Sequence, residues 1–127
     1  LAYLVFAGGI AVSIAKVMPR RAHYFLHVSG AIKEMDIALY KWFSASPHAA
    51  VTIGKSVSCS LQITWDLQSD ISPIQAEIRL VKGIPALFAL DGPVYRQGQS
   101  LRPNKAYRLH HGDCFQIGQT QFRFLES

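Results

Sequence analysis

Lys55 and Ser72 are the residues of this chain whose surroundings best suit them to chemistry. Lys55 directly follows the β-type run Val51-Thr52-Ile53-Gly54. Ser72 and Pro73 lead into an alternating run, with Ile74, Ala76, Ile78 and Leu80 on one face and Gln75, Glu77 and Arg79 on the other. A period of two is what a half-buried strand needs. A cation and a hydroxyl at strand ends converge on an anion if the sheet brings their two loops together. The stretch from Val51 to Ile78 is therefore the one around which the rest of the chain is read.

Other constellations are weaker. His23 and His27 are four apart in a strand-like run, which puts them on one face but far apart along the chain. His48 falls in a loop, and His110-His111 precede a Gly-Asp turn. Cys59 and Cys114 form no CxxC and no Cys-His cluster, which argues against zinc and against a disulfide framework. Cys114 reads as a small buried hydrophobe within a strand, and Cys59 as a residue of an exposed polar turn. No G-x-S-x-G elbow, P-loop or HExxH occurs, and Asp66 and Asp70 read as solvated residues flanking a turn. The expectation is a chain without catalysis, cofactor or metal. The net charge is +5, from 13 Lys+Arg against 8 Asp+Glu, but Arg20-Arg21 is the one adjacent basic pair. So dispersed a charge argues against nucleic acid as partner, and no small-molecule substrate is indicated.

The elements that must position Lys55 and Ser72 are short. At 127 residues the chain has the size of one domain that buries its own core. Residues 1–18, LAYLVFAGGIAVSIAKVM, are apolar apart from Lys16, Ser13 and the glycines, and Pro19-Arg20-Arg21 stops the run. A spanning helix needs roughly 20 apolar residues. The run reads as the end of a transmembrane helix whose start lies upstream in a longer protein, since the chain does not begin with Met. Arg20 and Arg21 would then put the domain after them on the cytoplasmic side. A buried helix or strand of a soluble cytoplasmic protein is the alternative. The expected boundaries are 1–21 for this segment and 22–127 for the domain.

From Ala22 onward, strands are predicted at Tyr24–Val28, Met35–Leu39, Val51–Ile53, Leu61–Trp65, Ile74–Val81, Ile84–Leu90, Val94–Leu101 (weak, interrupted at Gln97-Gly98), Ala106–Leu109, Cys114–Ile117 and Thr120–Leu125. Residues 41–50 read as the longest loop, with Trp42 and Phe43 folding back onto the core. Lys82-Gly83 reads as a hairpin turn. Short strands at regular intervals with Gly, Pro and Asp between them predict an all-β, two-sheet sandwich.

Three blocks now carry a resemblance. Thr52-Ile53-Gly54-Lys55-Ser56 is similar to TIGRS, and Ile71-Ser72-Pro73-Ile74-Gln75-Ala76-Glu77-Ile78 to V-S-x-x-H-A-x-I. Leu109-x-x-Gly112-Asp113-x-Phe115-x-Ile117-Gly118, with Phe122-x-Phe124, looks like a closing L-x-x-G-D-x-I-x-I-G hairpin. In this order and spacing they resemble the forkhead-associated (FHA) domain family, over roughly Tyr24 to Glu126. The resemblance implies a β-sandwich whose loops at one end bind phosphothreonine peptides. It puts Lys55 at the family's phosphate-binding Arg and Ser72 at its phosphate-binding Ser, with Ser56 and Ser58 as further donors. Gln75 stands for the His that supports the loops, and Tyr95 and Gln97 match the tail of the S-x-N-G-T region, Gln97 in place of a second Asn.

The departures from the pattern bear on function. Lys offers a charge without the planar fork of Arg. Gly92-Pro93-Val94 lacks the Asn that holds the peptide backbone. The reading is a non-catalytic protein-interaction module with a degenerate phosphopeptide site, on the cytosolic end of a membrane-anchored protein. The alternative is authentic phosphothreonine-peptide recognition in a kinase/phosphatase signalling or secretion assembly. Both require the corner after Ile53 and the corner before Ile74 to lie side by side at the rim of two stacked sheets.

Overall fold

Alternating β-branched, aromatic and polar residues build most of the elements, and their inward halves decide which faces meet. A computed structural model describes residues 23–30, 34–45 and 48–127. In chain order the elements are β1 (Tyr24–Ser29), β2 (Met35–Ala38), α1 (Tyr40–Ala45), β3 (Ala50–Gly54), β4 (Leu61–Gln62) and β5 (Ala76–Val81). They continue as β6 (Ile84–Ala89), β7 (Tyr95–Arg96), β8 (Gln99–Ser100), β9 (Tyr107–Arg108), β10 (Cys114–Ile117) and β11 (Thr120–Glu126). Among the described residues these make a five-stranded sheet, β9-β6-β5-β3-β4, and a six-stranded sheet, β2-β1-β11-β10-β7-β8. Neighbours are antiparallel except β3 and β4, which run parallel with Ile53 opposite Leu61.

The core lies between the sheets. Val51, Ile53, Ala76, Ile78 and Leu87 from one face Leu26, Val28, Phe115, Ile117, Phe122 and Phe124 from the other, each at most 2 % exposed. Phe115 and Phe122 are directly opposite across β10 and β11, their rings stacked with centroids 4.9 Å apart. Such a cross-strand aromatic pair fixes register as well as filling volume. The expected all-β, two-sheet sandwich is the observed architecture.

Several expectations need correction. Residues 40–45, read as part of a loop from Lys41, form one helical turn, in which Phe43 N–H bonds back to Leu39 O. Trp42 and Phe43 do pack on the core. Cys114 is exposed, because the inward phase of β10 belongs to Phe115 and Ile117. Cys59 is half-buried. The expected break of the Val94–Leu101 run at Gln97-Gly98 is there, as the turn of a small hairpin, β7 and β8. Lys82-Gly83 does join β5 to β6, with both residues at the positive φ that a two-residue hairpin requires. The apolar run of residues 1–18, and with it the 21/22 boundary, lies outside the described residues. Among those described, no helix is long and apolar enough to cross a membrane.

The two corners singled out in the sequence are neighbours. Gln75 N–H donates to Ile53 O at 2.9 Å, Lys55 N–H to Ser72 O at 3.0 Å and Ser56 N–H to Pro73 O at 3.0 Å. This approach leaves no room at Gly54, where a Cβ would collide with the carbonyl of Pro73 and the Cα of Ile74. Gly54→Ala is therefore expected to lower the unfolding free energy by about 1–3 kcal/mol, as overpacking does. Urea denaturation checks this, and an unchanged midpoint would mean that the corners are not packed together.

Candidate functional site

Strand β5 begins at Ala76, not at Ile74, and that shift reassigns the two residues before it. Ile74 is 39 % exposed, whereas Gln75, expected on the solvent face, is 1 % exposed. A buried primary amide must find both an N–H donor and a carbonyl acceptor. Gln75 has them: Oε1 accepts from Ser72 N–H at 2.8 Å, and Nε2 donates to Pro93 O at 2.7 Å. Its backbone O accepts from Leu90 N–H at 2.9 Å. One residue thus joins the end of β3, the segment before β5 and the turn after β6. Gly92 in that turn has φ +93, and a Cβ there would come within 3.0 Å of Ser72 Oγ. The turn sits directly against the serine.

The polar side chains at this corner divide into engaged and unengaged groups. Ser56 Oγ and Ser58 Oγ lie 2.8 Å apart, and Ser58 N–H donates to Ser56 Oγ at 3.2 Å, so these hydroxyls mainly shape their own loop. Cys59 Sγ–H donates to Pro73 O, a further tie between the corners. Lys55 is exposed, and neither its ammonium nor the Ser72 hydroxyl has a hydrogen-bond or ion-pair partner among the described residues. A cation and a hydroxyl on hydrogen-bonded backbones, both with donors to spare, are the kinds of group that an anion's oxygens require.

Beside Lys55 opens a cleft of about 300 Å³, floored by Ile63 and Ile71 and walled by Gln62, Thr64 and Leu67. Its outer loop is held by Asp66, a residue expected to be merely solvated. Asp66 Oδ1 accepts from Gln68 N–H at 3.2 Å and Ser69 N–H at 3.0 Å, and Oδ2 from Gln119 N–H at 2.9 Å. Trp65 Nε1–H donates to Thr120 Oγ1 at 2.8 Å, pinning the same loop to β11. These anchors were missed in the sequence, although Asp-x-x-Ser at 66–69 is the spacing of an Asp that caps its own turn. The Gln119 N–H foremost, with those of Ser69 and Gln68, holds the Asp66 carboxyl below its ordinary value of 3.8.

Tyr95 opens strand β7, two residues after the Pro93 that Gln75 holds, and Gln97 follows that strand. They border a second groove of about 430 Å³ with Gly98, Cys114, Phe115, Gln116 and Gln121, and it shares no lining residue with the Lys55 cleft. Of the residues expected at one site, the structure brings together Lys55, Ser56, Ser58, Ser72 and Gln75. Gln75 acts there through the backbone it holds.

Residues 51–118 match the family model of the FHA domain. The chain belongs to the FHA domain family. No curated protein sequence matches it. Among solved structures, it is similar to the N-terminal FHA domain of Rad53 from S. cerevisiae in complex with a phosphothreonine peptide. The identity there is 17 %, with TM-score 0.63, over 81 % of this chain and 94 % of that one. The yeast Dun1 FHA domain, in complex with a doubly phosphorylated peptide, is 21 % identical with TM-score 0.61, over 89 % of this chain and 82 % of that one. EmbR of Mycobacterium tuberculosis, in complex with a low-affinity phosphopeptide, is 19 % identical with TM-score 0.62. The match covers 84 % of this chain but only 25 % of EmbR. At such identities the likeness is one of fold.

The anchors of this FHA domain are open to two tests. Gln75→Leu leaves Ser72 N–H and Pro93 O without their partner and is expected to cost about 1–3 kcal/mol in all. Chemical denaturation checks this, and a neutral result would remove Gln75 as the joint between the loops. Because the folded pKa of Asp66 is depressed, its stabilising effect is present above about pH 3.8 and is lost as pH falls through the lower folded value. Hydrogen exchange should show the Gln68, Ser69 and Gln119 amides losing protection in that acid range. In Asp66→Asn their protection should already be reduced at neutral pH and vary little with acid.

Proposed function

We propose that this FHA domain is a non-catalytic protein-interaction module that takes an anionic peptide segment, a phosphothreonine peptide in the first instance, at the Lys55–Ser72 corner. The observation that carries the reading is the 3.0 Å bond from Lys55 N–H to Ser72 O, between two residues whose side-chain donors are unengaged. By resemblance these are the family's phosphate-binding positions, and the Rad53 and Dun1 structures carry phosphorylated peptides. A phosphate brings nearly two negative charges and strong acceptor oxygens, which an ammonium and a hydroxyl match. Lys55 does so as a point charge without a planar fork, and Gly92-Pro93-Val94 supplies no Asn for the peptide backbone. Affinity is accordingly low.

A second reading, a protein contact that needs no phosphate, is favoured by that same Gly-Pro-Val turn. For cellular placement, the apolar run and Arg20-Arg21 support an anchor at residues 1–21 with the domain at 22–127 on the cytoplasmic side. A soluble cytoplasmic protein is the alternative.

Calorimetric titration with phosphothreonine peptides and their unphosphorylated counterparts separates the readings. Wild type should bind only the phosphorylated form. Lys55→Ala should lose roughly 10- to 150-fold in affinity, the worth of a charge-assisted hydrogen bond, and Lys55→Arg should bind more tightly than wild type. Equal binding of both peptide forms would favour the phosphate-independent contact, and absence of any binding at millimolar peptide would remove phosphate recognition.

A further inference from the structure

We infer that the end of the sandwich opposite the Lys55–Ser72 corner is a bilayer-contact surface. On it the β5–β6 hairpin sets Val81 and Ile84 into the interface of an anionic leaflet, with Lys82, Lys41 and Arg108 against the headgroups. The corner then faces away from the membrane. The inference rests on the anchor reading above and adds the surface by which the folded domain itself meets lipid.

Strand pairing fixes the two ends. Ile53 lies opposite Ala76 beside the corner and Ala50 opposite Arg79, so β5 runs away from the corner and its hairpin turns at the far end. The described chain enters at that same end. Tyr24 opens β1 opposite Glu126, the last residue of β11. Its ring meets Phe43 of α1 edge-on, with centroids 6.2 Å apart, and α1 packs on β3. At the other end, the Gln119 N–H bonds to Asp66, which borders the same cleft as Lys55. Residues 19–22 separate His23 from the apolar run, a reach of at most about 18 Å between Met18 and His23. A run embedded in a bilayer therefore holds this end of the domain near the headgroups.

Val81 and Ile84 are directly opposite across the hairpin and stand side by side, 37 % and 39 % exposed. Single exposed aliphatic residues are ordinary, but an adjoining pair at a tip is a contact patch. Between them Lys82 and Gly83, at φ 53 and 78, make the turn, and a Cβ on Gly83 would meet nothing within 4 Å. The turn stands clear of the domain. A long cationic side chain between two aliphatic ones suits the boundary where headgroups meet acyl chains. The surrounding charge selects an anionic surface. Lys82, Lys41 of α1 and Arg108, opposite Ala86, are exposed, and their charged groups have no hydrogen-bond, ion-pair or ring partner among the described residues. Of the acids near them, Glu77 is paired with Arg79 at 3.1 Å and Asp113 with Arg96 at 2.8 Å, which leaves Glu126. A second copy meeting this surface with its own would set these cations against one another, so lipid is the better occupant.

The test places the full chain in nanodiscs of phosphatidylcholine, with or without phosphatidylserine, that carry a lipid spin-labelled at its headgroup, and reads the broadening of backbone amide resonances. With phosphatidylserine, the amides of Val81 to Ile84 should broaden while those of Lys55 and Gly92 do not. The double variant Val81→Ser, Ile84→Ser should lose that broadening, and its otherwise unchanged amide spectrum establishes that it is folded. Lys82→Gln should shift the hairpin about fivefold toward the lifted state, the worth of one basic side chain at an anionic surface. Hairpin amides that stay sharp, broadening centred on the Lys55 corner, or broadening that persists in the double variant would overturn the inference. Equal broadening on phosphatidylcholine alone would overturn its anionic lipid, and hairpin shifts that depend on protein concentration without lipid would assign the patch to a second copy. Alkaline extraction of vesicles reads the anchor separately. A chain retained in the bilayer with a sharp hairpin leaves the anchor standing and removes the inference. A chain extracted, yet broadened at the hairpin by phosphatidylserine, removes the anchor and keeps the lipid contact.

Discussion

The buried amide of Gln75 is the joint on which the binding end depends. Its two side-chain bonds and its backbone bonds hold together segments ending at Ile53, beginning at Ser72 and turning at Pro93. An amide suits this place because one end must accept from a backbone N–H and the other must donate to a backbone carbonyl. The imidazole that the family carries there is likewise a donor on one nitrogen and an acceptor on the other when neutral. Glutamine does the same work without a proton equilibrium, so the corner has no titrating group at its centre.

Around that joint, two kinds of support meet. The sandwich core, with Phe115 stacked on Phe122 and Leu26, Val28 and Phe124 beside them, sets where β3 and β5 lie. The loops are then placed by polar contacts: backbone bonds of Ile53, Lys55 and Ser56 to Gln75, Ser72 and Pro73 on one side, and the Asp66 carboxylate and Trp65 indole on the other. At this corner the Lys55 ammonium and the Ser72 hydroxyl have no partner among the described residues. Scaffold demands are met by buried and mutually bonded groups, so the unengaged ones mark the surface that is open to a partner.

The sequence was most legible where one rule governed a residue. Hydrophobic alternation predicted β1, β5, β6, β10 and β11 within a residue or two, and Lys82-Gly83 announced its hairpin. It was least legible where phase or long-range bonding intervened. Cys114 reads as apolar and hence buried, but Phe115 and Ile117 are the better core residues and take the inward phase of β10. Gln75 reads as a solvent-facing strand residue until the strand is seen to start at Ala76. Asp66 reads as solvated because its partner Gln119 is remote in sequence. Tyr95 and Gln97 follow a family pattern, and the β7–β8 hairpin sets them along a groove with Cys114 and Gln116.

By itself, then, the chain determined the class of fold, the family and the identity of the corner residues, because alternation, turn chemistry and short blocks are local properties of a sequence. Tertiary structure decided which polar groups are consumed by the scaffold and which stay available. That division depends on distances between segments remote along the chain, and the pattern of residue types does not record those distances.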